Sequence, residues 1–520
     1  MHRPLVCLYL LPAIMLWACQ SQPQPEVSDN YREPHRPQIH FSPPSHWMND
    51  PNGMVYYEGE YHLFYQHYPD STVWGPMHWG HAVSTDMIHW EHLPIALYPD
   101  EHGYIFSGSA VIDWNNSSGL GENGKPPMVA IFTFHDPEGA KAGTNTYQTQ
   151  GIAYSNDKGR SWTMYEGNPV LGNPGLRDFR DPKVSWHEPS QRWVMILAVG
   201  DHMALYNSPD LKNWTHLSDF GQGVGAHGGV WECPDLFALE VEGTSQKKWV
   251  MLASINPGGP NGGSATQYFV GEFDGQTFTR EWPADPKDSV WVDYGKDNYA
   301  GVTWSDIPPE DGRRLFLGWM GNWQYAQVVP TEKWRSAMTL PRVLSLHPLG
   351  EKGYVLRSEV VAEARKLRTN EQSLPAQGLT TPLQLQSSSP PLELFLSIQL
   401  PPAEALAEVT LSNAQGEQMV IGYDGNTQHF FVDRTQSGDA SFSEDFAGRH
   451  IGPRYTSSDT LSLHLFVDVA SVEVFADDGS SVMTEICFPS VPYDQIQVHA
   501  QGGKLLEGKL WQLKSIWHEE

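Results

Sequence analysis

The sequence predicts an all-β chain, a β-propeller followed by a C-terminal β-sandwich. Three observations carry this reading. First, a turn device recurs: Ser84-Thr85-Asp86-Met87-Ile88-His89-Trp90, Ser155-Asn156-Asp157 through Trp162, Ser208-Pro209-Asp210 through Trp214, and a weaker copy at Phe273-Asp274-Gly275 through Phe278. Its aspartate can close an Asx-type turn, and the aromatic that follows packs the hairpin on its neighbour. Irregular long-period repetition of one hairpin suggests blades separated by inserted loops. Second, short β-rich runs lie between the copies, and no long amphipathic helical pattern competes with them. Third, the last part of the chain alternates apolar and polar residues, as half-buried antiparallel strands do.

Residues 1–19 read as an export signal. Arg3 precedes an apolar run, Leu5 to Ala18, that is too short for a comfortable membrane span. The run ends Leu16-Trp17-Ala18-Cys19, which resembles a bacterial lipoprotein signal with Cys19 as the lipidated new N-terminus. An ordinary secretory signal cleaved nearby is the alternative. Residues 20–38 are rich in Gln, Pro, Ser and charge, lack a core, and read as a flexible tether. The chain is therefore expected to be exported and lipid-anchored to a bacterial membrane, the outer membrane or cell surface, touching it only through this anchor.

At 520 residues the chain calls for two domains, and 40% hydrophobic content allows large cores. The net charge is −28, with 33 basic against 61 acidic residues. A surface this acidic argues against nucleic acid and anionic lipid as partners. It suits an enzyme acting on a neutral polymer. Beyond Cys7 and Cys19 only Cys233 and Cys487 remain, in different expected domains, so no disulfide is expected.

The propeller is placed at 39–346. Its strands include Glu60–Gln66, Arg192–Ala198, Lys248–Ala253 and Arg314–Trp319. A composition shift follows Leu346, and 347–375 read as a linker with Ser358–Lys366 as a short helix candidate. The sandwich is placed at 376–520, where Leu392–Leu400 and Leu461–Phe475 alternate cleanly.

Three carboxylates sit in loops framed by aromatics or proline. Asp50 lies in Trp47-Met48-Asn49-Asp50-Pro51-Asn52-Gly53, Asp181 in Phe179-Arg180-Asp181-Pro182, and Glu232 in Trp231-Glu232-Cys233-Pro234-Asp235. Proline biases Asp50 to extended geometry and Gly53 permits a turn, so an ordinary turn between strands is the plain reading of the first motif alone. Three such acids together look like the equipment of a glycosidase. With His40-Phe41-Ser42-Pro43-Pro44 ahead of them, and in this order, the motifs resemble glycoside hydrolase family 32, which contains invertases, exo-inulinases and levanases. The resemblance runs from His40 to the end of the chain.

That resemblance implies five blades and a C-terminal sandwich, in which Phe431-Val432-Asp433-Arg434-Thr435 matches a sandwich motif. It implies a retaining hydrolase of terminal β-fructosyl groups of levan, inulin or sucrose. Asp50 would be the nucleophile and Glu232 the acid/base, while Asp181 would grip fructosyl hydroxyls. Trp231 and Cys233 are expected to give Glu232 an apolar setting, with the thiol packed beneath the acid. Arg180 can hold a carboxylate or sugar hydroxyls. Asn49, Gln66, Trp74, Phe106, Ser107, Asp293 and Trp319 are further candidates for contacting the sugar; for each, core packing or turn closure is the alternative.

No cofactor or metal is expected. His78 and His81 alternate with an aromatic and a glycine in a strand-like run without a third ligand set. Two rivals remain. The Ser155–Trp162 device resembles the aspartate box of sialidases, but those use a tyrosine nucleophile and an arginine cluster, and only Arg180 stands near these motifs. A non-catalytic glycan-binding surface lipoprotein would be expected to lack one of the acids, and all three are present.

Overall fold

The computed structural model describes residues 31–350, 353–386, 389–401 and 405–517. The expected export signal, Cys19 and the first part of the tether lie outside the described residues. Up to Val360 the strands form five antiparallel sheets. We call them blades I to V. Their innermost strands are His46–Tyr57, Tyr104–Ile112, Phe179–His187, Val230–Glu240 and Tyr299–Thr303. Each touches the next, and the fifth touches the first, so the sheets close a ring. Trp334–Arg335 helps to seal it by pairing in parallel with His46 and Trp47.

The repeated turn device sits where the blade reading expects it, joining the two outer strands of blades I to IV. Asp86 Oδ1 accepts the backbone N–H groups of Ile88 and His89 at 3.0 and 2.9 Å. Asp210 and Asp274 do the same for Lys212 with Asn213 and for Gln276 with Thr277. In the longer copy Asp157 accepts the Ser161 N–H at 2.9 Å. Short polar side chains here satisfy turn amides that no ladder reaches.

The predicted strands appear as Glu60–Tyr68, Arg192–Val199, Lys247–Asn256 and Arg314–Met320, the second strand of blades I, III, IV and V. They are buried on both faces because blades stack on both sides.

Two further sheets pack face to face as the sandwich. One runs in the order Arg368–Leu374, Lys504–Leu513, Leu392–Gln399, Thr460–Asp468, Ser471–Ala476, Ser481–Ile486. The other holds Leu383–Gln386, Gln495–Ala500, Leu406–Ser412, Gln418–Asp424, His429–Gln436 and Arg449–Pro453. The apolar side of each strand, such as Leu392, Leu394, Leu396 and Ile398, enters one shared core.

Two expected boundaries are corrected. Residues 347–375 are not a linker. Arg342–Pro348 and Tyr354–Val360 form the outer hairpin of blade V, and Arg368–Leu374 already belongs to the sandwich. Only a short 3₁₀ turn, Ala362–Leu367, connects them. Nor do residues 31–38 behave as a tether. Tyr31 stacks on Trp517 at 3.8 Å, and Arg36 is fully buried. The Arg36 guanidinium donates to Glu33, to Ser42 Oγ and to the Pro43 and Pro44 carbonyls. Composition alone missed a single arginine that satisfies a whole loop.

Candidate active site

Every innermost strand breaks its ladder near its N-terminal end, and the three candidate carboxylates sit at or beside the breaks. In blade III, Arg180 pairs with Ala198 and Lys183 with Ile196, which sets Asp181 and Pro182 against Leu197 alone. In blade IV, Glu232 and Asp235 bracket Cys233 and Pro234. In blade II, Ile105 and Gly108 bracket Phe106 and Ser107; in blade V, Tyr299 and Val302 bracket Ala300 and Gly301. Blade I breaks twice, at Asp50 and after Asn52. Proline suits such positions because it cannot donate to a ladder. Four break residues lie in the left-handed region: Gly53 (φ 57°), Asp181 (φ 63°), Cys233 (φ 44°) and Ala300 (φ 53°). Bulges of this kind re-aim side chains out of the sheet plane, here toward one end of the central channel.

That end is a cavity of about 490 Å³. Asn49, Asp50, Gln66, Ser107, Asp181 and Glu232 line it. So do Trp74, Phe106 and Arg180. Asp50 Oδ2 accepts the Ser107 hydroxyl at 3.0 Å, while its Oδ1 is buried without a partner among the described residues. Gln66 Nε2 is in the same condition. An unmatched acceptor and donor facing one cavity suit a ligand rich in hydroxyls.

Glu232 is gripped from two sides. Arg180 donates Nε and Nη2 to Glu232 Oε1 at 3.2 and 2.7 Å, and the Tyr299 hydroxyl donates to Oε2. The expected apolar setting of Glu232 is therefore corrected. Trp231 points away, with its indole N–H on the Ala226 carbonyl. Cys233 lies under the aspartates instead, its Sγ 3.7 Å from both Asp50 Oδ2 and Asp181 Oδ2. Its backbone N–H donates to Asp181 Oδ2 at 3.0 Å. Burial holds this thiol well above its ordinary range, so it stays a neutral spacer.

Arg180 is the central cation. Its Nη1 also donates to Asp178 Oδ1 at 2.7 Å, and its Nε lies 3.9 Å from Asp181. One guanidinium cannot neutralise so many carboxyls. Burial, then the charge of Glu232, raises Asp50 to about 6. Burial raises Asp181 to about 7; Arg180 opposes this, and Glu232 and Asp50 add to it.

Two expected contacts lie elsewhere. Asp293 accepts Arg342 Nη1 at 3.0 Å and the Thr484 hydroxyl at 2.6 Å, in the seam between propeller and sandwich. Trp319 is fully buried behind the cavity wall, its ring 6.3 Å from Tyr299 and 5.0 Å from Trp323. Sequence reasoning missed Tyr299, Asp178, Tyr147, Trp323 and Gln327. Asp178 stands two residues before Arg180 and was findable. Trp323 and Gln327 arrive on the loop after blade V's second strand, and nothing local marks them.

A closed propeller with three carboxylates on bulged inner strands, gathered at one channel mouth, defines a glycosidase. The profile for the Glycosyl hydrolases family 32 N-terminal domain matches residues 40–358, and that for the family 32 C terminal matches 359–516. A levanase of Bacillus subtilis is 49% identical over 498 residues, covering 94% of this chain and 72% of that protein. An extracellular exo-inulinase of Aspergillus awamori is 39% identical, covering 94% of this chain and 96% of that protein. The crystal structure of exo-inulinase from Aspergillus awamori superposes with a TM-score of 0.85 at 36% identity, covering 94% of this chain and 100% of that one. The chain belongs to glycoside hydrolase family 32 and is a hydrolase of fructofuranosides.

Proposed function

We propose that the protein removes terminal β-D-fructofuranosyl groups from levan, inulin or sucrose, one at a time, with retention of configuration. The grouping of Asp50, Asp181 and Glu232 around one cavity carries the reading. Asp50 attacks the anomeric carbon as Glu232 gives its proton to the departing oxygen. Glu232 then takes a proton from water, and that water's oxygen displaces Asp50, releasing fructose. Arg180 and Tyr299 orient Glu232. Asp181, Gln66, Asn49 and Ser107 hold ring hydroxyls, and Trp74 forms the rim. Chromatography of an early levan or inulin digest tests this: fructose should dominate. Accumulation of mid-length oligosaccharides would reject the exo mode.

Export fits the extracellular naming of several relatives. We propose lipid anchoring at Cys19, resting on Leu16-Trp17-Ala18-Cys19. One acyl chain binds a membrane weakly, so the anchor needs more than one. No helix among the described residues is long and apolar enough to cross a membrane. Cys19→Ser should move activity from the membrane fraction to the soluble one; unchanged fractionation would reject the anchor.

A further inference from the structure

The central channel has a second mouth. Ser185 stands four residues beyond Asp181 on the same strand, roughly 13 Å further along it. Around it lies another cavity of about 510 Å³, at the C-terminal ends of the inner strands. It shares no lining residue with the catalytic cavity.

Its walls are aromatic. Trp114 is 60% exposed, more than any other large apolar side chain among the described residues, and Trp186 and Trp249 are half-buried. Two of these rings are fixed by their edges. The Trp114 indole N–H donates to Asp306 Oδ1 at 2.8 Å, and that of Trp186 donates to Glu188 Oε2 at 2.6 Å. Asp306 is itself anchored by the Ile112 N–H at 2.9 Å. Tyr57 lies 5.8 Å from the Trp114 ring, tilted against it, and Trp193 5.2 Å from that of Trp186, edge to face, so each indole is fixed in place while much of Trp114 stays open to solvent. An exposed indole fixed by a half-buried acid is an arrangement that core packing does not require.

The floor is polar and carries charges of both signs. Lys183 lies 3.4 Å from Asp235 and donates to the Thr303 carbonyl. Arg314 sits over the Phe237 ring at 5.0 Å and donates no hydrogen bond among the described residues. Its fork of donors is unspent. Lys183 and Arg314 stand against Asp235, Asp306 and Glu188, so the lining carries no excess of positive charge and does not select an anionic ligand. Flat apolar faces with free hydrogen-bond donors fit an uncharged polyol, which offers C–H faces and hydroxyl acceptors together.

We propose that this mouth is a second carbohydrate site that holds an internal stretch of a fructosyl chain while another chain end enters the catalytic cavity. The occupant's identity as a fructan rests on the proposed function above. No bond is made or broken here. Binding at both mouths would raise the local concentration of chain ends around an exo-acting enzyme, an avidity effect that sucrose, with one fructosyl group, cannot use.

The test uses the full chain in an Asp50→Asn background, so that polymer is bound without being consumed, with levan or inulin cast into a native gel. Trp114→Ala should weaken retardation roughly fivefold or more, the usual scale for removing an aromatic anchor. Trp114→Phe should recover most of it, which separates stacking from misfolding. In the active enzyme, Trp114→Ala should leave kcat and KM on sucrose unchanged while KM on polymer rises. Retardation equal to that of the parent, or equal retardation of the parent by a soluble α-glucan, would overturn the site. Loss of sucrose turnover as well would also overturn it, by showing a general defect. A wild-type enzyme that is retarded but does not hydrolyse fructans would reject the proposed function and leave the polymer site standing.

Discussion

Asp178, Asp181 and Glu232 share one guanidinium, Asp50 lines the same cavity, and this crowding sets the chemistry of single residues. Asp50→Asn should reduce turnover by roughly four orders of magnitude or more, because an amide cannot form the glycosyl intermediate. Steady-state assays on sucrose check it, with circular dichroism as the folding control. As the proposed nucleophile, Asp50 must be ionised, and burial raises it to about 6. So kcat/KM should fall as pH drops through about 6, well above the range of an ordinary aspartate. Asp181 has a consequence for stability. Its carboxyl is raised from 3.8 to about 7, so the folded state holds a proton that the unfolded chain has released. Stability therefore falls as pH rises between those values. Asp181→Asn should melt higher than the wild type at pH 8, by the equivalent of about 2–3 kcal/mol, with the gain gone at pH 4. Asparagine tolerates the left-handed φ at this position. The three acids were legible in the sequence because each carries its own local frame. Asp293 was misread because a buried carboxylate in an Asp-Tyr-Gly turn looks the same whether its partner is a sugar or Arg342, 49 residues away.

The bulged inner strand is the element that builds the site. Its sequence signal was partial: the Asp-Pro and Cys-Pro pairs mark breaks in blades III and IV, whereas Ala300-Gly301 does not stand out. Gly53 shows what a break requires. A Cβ there would meet the Phe64 and Trp79 rings at 2.7 Å, and its φ is 57°. Gly53→Ala should cost on the order of 2–4 kcal/mol, from left-handed strain plus displaced rings. Urea unfolding measures this, and a loss below about 0.5 kcal/mol would mean that the rings yield freely. The outer hairpins of blades I to IV were the most legible elements, since an aspartate closes each turn, whereas that of blade V carries no copy of the device and its second strand was read as linker. Asp210→Ala should cost about 1 kcal/mol for its lost turn bonds.

Across the whole molecule, propeller and sandwich are joined by buried charge. Arg342 donates to Glu473 and Asp293, and His40 bridges Asp468 and Glu473 at 2.7 and 2.8 Å. These groups are fully buried or nearly so. Removing one member leaves the others uncompensated, so Arg342→Met should destabilise by about 3–5 kcal/mol. Flanking carboxylates outweigh the burial of His40 and hold it up at about 9, above its ordinary 6.5. Its contribution is complete below pH 6.5 and is lost as pH rises through about 9. Thermal melts of the wild type should decline over that interval more steeply than those of His40→Gln. This seam was not legible in the sequence, because its partners lie from 49 to 433 residues apart and no local pattern links them. It also explains why residues 31–38 are held: Gln38 and Ile39 donate their backbone N–H groups to the same Asp468.

The central claim is that Asp50 forms a covalent bond to the fructosyl group. The most direct measurement is mass spectrometry of peptides from the Glu232→Gln enzyme, quenched in acid while it turns over a fructoside with a good leaving group. That variant needs no proton to form the intermediate but lacks the base that clears it. The peptide bearing Asp50 should gain one anhydrofructosyl group. The same mass on the Asp181 peptide, or an unlabelled protein under steady turnover, would contradict the account.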